Sequence, residues 1–183
     1  YQLTRHLIGL GHKRIAYLGN ARAGRTTHDR LRGYQAALNE AGLTVRPEYV
    51  TDGPNGLPEG GLRGLQQLLE LPTRPTAIVC YNDVMAIGAI QALQQAGLDV
   101  PGDCSITGFD DIELAGYVNP PLTTFNQPKY ELGCQAAKMM LRLLNREAER
   151  KMAAEDHIIR LRGQMRVRAS TAPPFNTSGG RKS

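Results

Sequence analysis

Nowhere in its 183 residues does this sequence hold an apolar run long enough to cross a bilayer, and 41% hydrophobic with 21% charged residues is a globular balance. A membrane protein is excluded, and the length suits one domain or part of a larger one. No secretory leader is visible, although a chain that opens on Tyr1 instead of Met can have lost one. The three cysteines, Cys80, Cys104 and Cys134, are few, odd in number and far apart. That excludes a disulfide framework and a zinc site, and predicts buried thiols in a reducing compartment. The four histidines, His6, His12, His28 and His157, lack the spacing of metal ligands. There is no GxxxxGK loop to cradle a nucleotide phosphate and no GxSxG elbow to present a nucleophilic serine. The formal net charge of +5 hints at nucleic acid, but much of the excess sits between Arg146 and Lys182 with little aromatic interleaving. It reads as a solvated face and tail.

What is present is most concentrated between Ser105 and Pro128, SITGFDDIELAGYVNPPLTTFNQP. Ile106 to Phe109 is a short apolar strand signal, and Asp110 and Asp111 follow at its end, where carboxylates do nothing to stabilise a strand. Pro120-Pro121 then bars helix, and Leu122 to Phe125 is a second strand signal with the amides Asn126 and Gln127 after it. Ligands of open parallel sheets bind outside the carboxyl ends of the strands. This stretch therefore supplies two rims of a candidate binding crevice.

Along the chain, strand signals at Arg14 to Leu18, Tyr49 to Thr51 and Thr76 to Tyr81 alternate with helical patterns. The helices are predicted at Asp29 to Ala41, at Leu62 to Leu71, and from a cap at Asn82 or Asp83 onward. The helix ending Ala37-Leu38-Asn39-Glu40-Ala41-Gly42-Leu43 recurs as Ala92-Leu93-Gln94-Gln95-Ala96-Gly97-Leu98, each with Gly placed for a left-handed cap and Leu for its apolar contact. Such alternation argues for an α/β fold, a parallel sheet with right-handed crossovers and helices on both faces. A longer helix is expected from Lys129 to about Arg150, then short strands at His157 to Leu161 and Met165 to Val167. The Pro-, Gly- and Ser-rich remainder, 172–183, reads as a disordered tail.

Four polar groups fall just after strand signals or in the loops that follow them: Arg30, Asn82, Asp110 and Gln127. Singly, each has a structural reading: a first-turn charge, an N-cap, an Asx-turn and a solvent amide. Together they are a donor fork, a carboxylate and two amides on one sheet edge, the chemistry that binds a neutral polyhydroxylated ligand. Asp83, Asp110 and Asp111 could hold magnesium, but with no phosphate loop and no nucleophile the enzyme reading is set aside. No cofactor is implied.

These residues resemble the effector-binding domain of the LacI/GalR family of transcription regulators. The resemblance is carried by HLIGLGHKRIAYLG (His6 to Gly19), RLRGYQAALNEAG (Arg30 to Gly42), the run from Pro75 to Pro128 with its GFDDIELA, PPLTT and QP, and VRAST (Val167 to Thr171). It implies a periplasmic-binding-protein-like (type I) fold of two α/β subdomains joined by three crossing segments around a ligand cleft. Residues 1–126 would be the C-terminal subdomain, 127–171 a crossover with the helix and strands that belong to the N-terminal subdomain, and 172–183 a tail. It also implies a cytoplasmic regulator, a homodimer, whose effector is a sugar or sugar acid held by Arg30, Asn82, Asp110 and Gln127. Operator DNA would be bound through a helix-turn-helix head that is not in this fragment. Two departures stand out: Asn55-Gly56-Leu57 where many members carry a sugar-stacking aromatic, and Leu161-Arg162 in place of Leu-Pro. The alternative is a periplasmic sugar-binding protein of a transporter, told apart by a signal peptide upstream in place of a DNA-binding head.

The Lys129 to Arg150 helix carries an apolar stripe of Leu132, Ala136, Met139, Met140 and Leu143. Each large side chain left in water forfeits roughly 1.5–3 kcal/mol. The chain on its own is therefore expected to bury the stripe on a second copy or to leave the helix poorly ordered. Light scattering across a concentration series, paired with hydrogen exchange, checks this; a strict monomer with strong protection over Lys129 to Leu144 would oppose it.

Overall fold

Every residue of the strand β1 (Ile15–Asn20) is buried, because helices cover both faces of the sheet it belongs to. A computed structural model describes residues 1–144 and 158–175 of the chain. They divide into two compact units, Tyr1–Phe125 with Met165–Ser183, and Asn126–Gln164.

The first unit runs α1 (Gln2–Gly9), β1, α2 (Arg25–Glu40), β2 (Val50–Gly53), α3 (Pro58–Leu69), β3 (Ala77–Cys80), α4 (Asp83–Gln95) and β4 (Ser105–Thr107). The strands form one parallel sheet in the order β2-β1-β3-β4. Side chains alternate across it. Ile15, Tyr17, Ala77 and Val79 pack with Leu3 and Leu7 of α1 and Tyr34 and Leu38 of α2 on one face. On the other, Ala16, Leu18, Ile78 and Cys80 pack with Leu65 and Leu68 of α3 and with Met85, Ala89 and Leu93 of α4. Burial pushes the free Cys104 thiol up to about 12 and Cys80 higher still, so both behave as small core hydrophobes; Cys134 is only half-buried.

Three helices end in the same way, as the repeated Ala-Gly-Leu endings predict for two of them. Gly42 and Gly97 take positive φ (67° and 72°), their amides bond Asn39 O and Gln94 O, and the Leu43 and Leu98 amides reach back to Leu38 O and Leu93 O at 2.9 Å. α1 does the same through Gly11 (φ 97°), and His12 N donates to Leu7 O at 3.1 Å. α3 and α4 approach closely at glycine: a Cβ on Gly61 would lie 1.9 Å from Met85 O, and one on Gly88 2.0 Å from Pro58 O.

After β4, a 3₁₀ turn (Glu113–Gly116) leads through Pro120 and Pro121 to β5 (Thr124–Asn126), which pairs with β6 (Gln164–Arg166) in a second, two-stranded sheet. The sheet of β4 continues onto this segment, since Gly108 N donates to Thr123 O and Asp110 N to Phe125 O. Beyond β6, Ser170 is fully buried and ties Ile106 to Thr123 and Pro121. Ala172 accepts from His12 Nε2 at 2.8 Å and from Ser105 Oγ at 3.1 Å. The tail expected from 172 onward thus has a bonded first residue: its composition shows no periodicity, but a backbone carbonyl needs none to be held. Residues 176–183 lie outside those described.

In the second unit, α5 spans Lys129–Leu144; the predicted continuation to Arg150 lies outside the described residues. None of its residues is buried among those described, and Leu132, Met140 and Leu144 are exposed. The strand expected at His157 to Leu161 is not found from Ile158 to Leu161, and His157 lies outside the described residues. An apolar run becomes a strand only against a neighbour, and Ile158 and Ile159 are 66% and 41% exposed.

Two histidines hold the strap that follows β6: His6 Nε2 lies 3.0 Å from Thr171 Oγ1, and His12 Nδ1 lies 2.9 Å from Thr76 Oγ1 while its Nε2 donates to Ala172 O. Burial lowers both pKa values, and at His12 the bond to Ala172 opposes the shift while His6 adds to it. A folded-state pKa below the unfolded value means that the unfolded chain binds more protons in that interval. The stability these groups contribute is complete above about pH 6.5, their unfolded value, and is lost as pH falls through the folded one. Urea midpoints at pH 7.5 and 5.5 should fall more steeply in the native chain than in a His6→Gln/His12→Gln variant; equal slopes would remove the histidines from the acid response.

Candidate functional site

In the order β2-β1-β3-β4 the winding reverses between β1 and β3, and the carboxyl ends of these strands form one edge. β1 ends at Asn20, β3 leads into Tyr81-Asn82, and β4 leads into Gly108-Phe109-Asp110-Asp111. With these strands buried, the residues at and just past their ends are where polar groups can face outward.

Arg30 reaches this edge from α2. Its guanidinium lies 4.1 Å from the centroid of the Tyr81 ring and 4.0 Å from that of Phe109, and Nη1 donates to Tyr81 O. Phe109 stacks in turn on Phe125, with centroids 5.3 Å apart and planes 12° from parallel. Tyr81 is held at its other end, where its hydroxyl meets Thr26 Oγ1 at 2.9 Å. The stack places Arg30 between the residues that precede Asn82 and Asp110. Tyr17, Arg30, Tyr34, Tyr81, Phe109 and Phe125, with the first turn of α1, line a cavity of about 240 Å³.

Asn82 uses both ends of its amide. Oδ1 accepts from Met85 N at 2.8 Å, the N-cap of α4, and Nδ2 donates to Gly56 O at 3.0 Å. Asn20 lies beside it: a Cβ on Gly56 would fall 2.8 Å from Asn20 Nδ2 and 3.3 Å from Asn82 Nδ2. The 55–57 loop thus meets two strand-end amides, and its Leu57 is 59% exposed.

Asp110 and Asp111 are the described non-glycine residues with positive φ, 121° and 51°. Behind them is Asp83, fully buried, whose Oδ2 accepts from Ile112 N at 2.8 Å and whose Oδ1 accepts from Thr124 Oγ1. Burial raises the Asp83 pKa; the two hydrogen bonds oppose this, and the neighbouring charges of Asp110 and Asp111 add to it. Asp111 pairs with Arg168, Nη2 to Oδ1 at 2.7 Å. Both carboxylates considered for magnesium beside Asp110 therefore have protein partners, and among the described residues no three His, Cys, Asp or Glu side chains could share a metal.

The structure thus gathers Arg30, Asn82 and Asp110 on one edge of the first unit, while Gln127 belongs to the second unit, between β5 and α5. Sequence reasoning passed over Asn20, the aromatic stack and Arg168. Asn20, two residues past the Arg14 to Leu18 strand signal, ends β1 and was legible in principle. Arg168 lies 57 residues from Asp111 and carries no local signal.

Residues 4–171 match a family described as periplasmic binding protein-like domain. The ribose operon repressor of Haemophilus influenzae is 42% identical over 149 residues, which are 81% of this chain and 45% of the repressor. A LacI transcriptional regulator from Bacillus cereus subsp. cytotoxis superposes with a TM-score of 0.87 at 30% identity, covering 95% of this chain and 60% of the other. A LacI family regulator from Enterococcus faecium with bound ribose gives 0.83 at 29% identity, covering 96% and 62%. The chain spans about half the length of the curated relatives it matches.

Asn82 offers a direct test of its double use. Asn82→Ala is expected to cost about 1 kcal/mol for the cap and about 1 kcal/mol more for the bond to Gly56 O. Asn82→Ser keeps a capping oxygen and lacks the amide donor to Gly56 O. Urea unfolding that ranks wild type above Asn82→Ser, and Asn82→Ser above Asn82→Ala, supports this; equal loss in both variants would leave the cap without weight.

Proposed function

Because the chain belongs to the periplasmic binding protein-like domain family of LacI-type regulators, we propose that it is the effector-sensing part of such a regulator. It binds a small sugar or sugar acid and governs DNA binding by a helix-turn-helix segment outside this sequence. The observation that carries the reading is the strand-end edge itself, where Arg30 stands between the residues that lead into Asn82 and Asp110. In this reading Asp110 accepts ligand hydroxyl protons, Arg30 donates from the edge of its stacked guanidinium, and Asn82 offers its remaining donor and acceptor capacity. Gln127 would contribute from the crossover, with residues 1–126 and 127–171 serving as parts of two subdomains. The relatives compared are repressors and transcriptional regulators, which supports a sensor over both a catalyst and a transporter's binding protein. A cytoplasmic, homodimeric regulator is part of the same reading. No described helix is long and apolar enough to cross a membrane.

The effector class is tested by thermal shift against pentoses, hexoses, sugar acids and nucleosides. A true ligand at a hundred times its dissociation constant adds about 2.7 kcal/mol. Asp110→Ala should then lose roughly 1.5–3 kcal/mol of affinity for that ligand while the fold is kept. Affinity equal to wild type would remove Asp110 from the site.

A further inference from the structure

Asp110 is held in an unfavourable backbone conformation by groups that the effector reading does not use. Two consecutive non-glycine residues at positive φ do not persist unless surrounding contacts over-determine them. Besides the bonds from Asp110 N to Phe125 O at 3.0 Å and from Asp111 N to Thr124 Oγ1 at 3.3 Å, those contacts come from two sides. On one, the buried Asp83 accepts from Ile112 N, and its own amide donates to Phe109 O at 2.9 Å, so a single residue brackets the 109–112 loop at both ends. Gly108 leaves the room for this, since a Cβ there would sit 2.2 Å from Asp83 Oδ1. On the other side stands Arg168, two residues beyond β6. Its Nη2 donates to Asp111 Oδ1 at 2.7 Å, its Nη1 to Leu122 O at 2.8 Å, and its backbone amide to Thr123 Oγ1 at 2.9 Å. The Asp111 and Arg168 side chains are 13% and 26% exposed, which puts the pair mostly out of solvent, where an ion pair fixes geometry firmly.

We propose that Arg168 is a positioning residue of the effector site: by gripping Asp111 against the Asp83 anchor it sets the backbone of Asp110, and it touches no ligand itself. The inference rests on Asp110 being an effector residue. Arg168 lies on the strap that returns the chain to the first unit from the second, so the aspartate's aim is tied to the course of that strap. The grip is specific to arginine. One guanidinium serves Asp111 and the Leu122 carbonyl at once, which a lysine ammonium on its flexible stem does not reproduce with the same fixed angle.

The test has one arm that needs no ligand and one that does. In Arg168→Gln, amide exchange at Asp110 and Ile112 should quicken tenfold or more while β1 and β3 amides keep their rates; Arg168→Lys should fall between. Unchanged exchange at 110–112, or equal quickening throughout the sheet, overturns the proposal. The second arm uses D-ribose as probe, by calorimetry on the full chain. Arg168→Gln should weaken ribose about tenfold in the wild-type background and less than twofold in an Asp110→Ala background, because its influence passes through Asp110. An equal loss in both backgrounds overturns it. Ribose affinity indifferent to Asp110→Ala would instead sink the effector reading, and the exchange arm would then decide the positioning role alone.

Discussion

Parallel pairing of β1 to β4 is the constraint from which the rest follows. A parallel pair cannot close with a tight hairpin, so each strand is joined to the next by a helix, and the helices cover both faces. The central strands β1 and β3 are covered on both sides and carry no charge; in β4, Ser105 and Thr107 are bonded inside, while β2 at the edge of the sheet carries the exposed Asp52. Polar chemistry is pushed to the first residues past each strand. All four strands also run the same way, so these residues share one edge. At the reversal between β1 and β3, two helices leave the edge in opposite directions and open a space that no side chain of the sheet fills.

The parts of this architecture that sequence made legible are those decided locally. Left-handed glycine at Gly42 and Gly97 is a property of five or six consecutive residues, and so is the capping capacity of Asn82. Strand ends read only to within one or two residues, because pairing with neighbours decides where a strand stops: β5 begins at Thr124, two residues later than its apolar run. Non-local features were the ones missed. Ile158 to Leu161 has the composition of a strand without a described partner to pair with, and Ala172 has the composition of a tail but is held by His12 and Ser105. At the candidate site, residue types were legible and their engagements were not. Asn82 is both a cap and a clamp on the 55–57 loop, and Arg30 is stacked on both faces.

Carboxylates crowd this edge, and their environments divide the labour. Asp83 has no solvent exposure and two hydrogen-bonded oxygens; Asp111 has a guanidinium. Burial and its two neighbours work against ionised Asp83, so its place is defensible only through what its oxygens hold. Positive φ at two adjacent aspartates costs of order 1–3 kcal/mol each. A fold tolerates that expense where it aims a functional group, and in the proposed site Asp110 is that group.

How such a site would discriminate among ligands follows from what its aromatics are already doing. Tyr81 and Phe109 face each other across the Arg30 guanidinium, and Phe125 backs Phe109, so these rings are engaged with the protein's own cation. The 55–57 loop offers Leu57, an exposed aliphatic side chain. Apolar contact of that kind separates ligands differing by a methylene only about 10- to 200-fold. A carboxylate, a fork of donors and an amide held in advance behave differently, because a ligand missing the matching hydroxyl leaves them desolvated and unpaired, which rejects it by factors on the order of 10⁴ or more in the best cases. In the proposed arrangement Asp83 and Arg168 sharpen this by fixing the backbone from which the Asp110 carboxylate projects. The proposed effector is thus recognised by the placement of its hydroxyls far more than by the face of its ring.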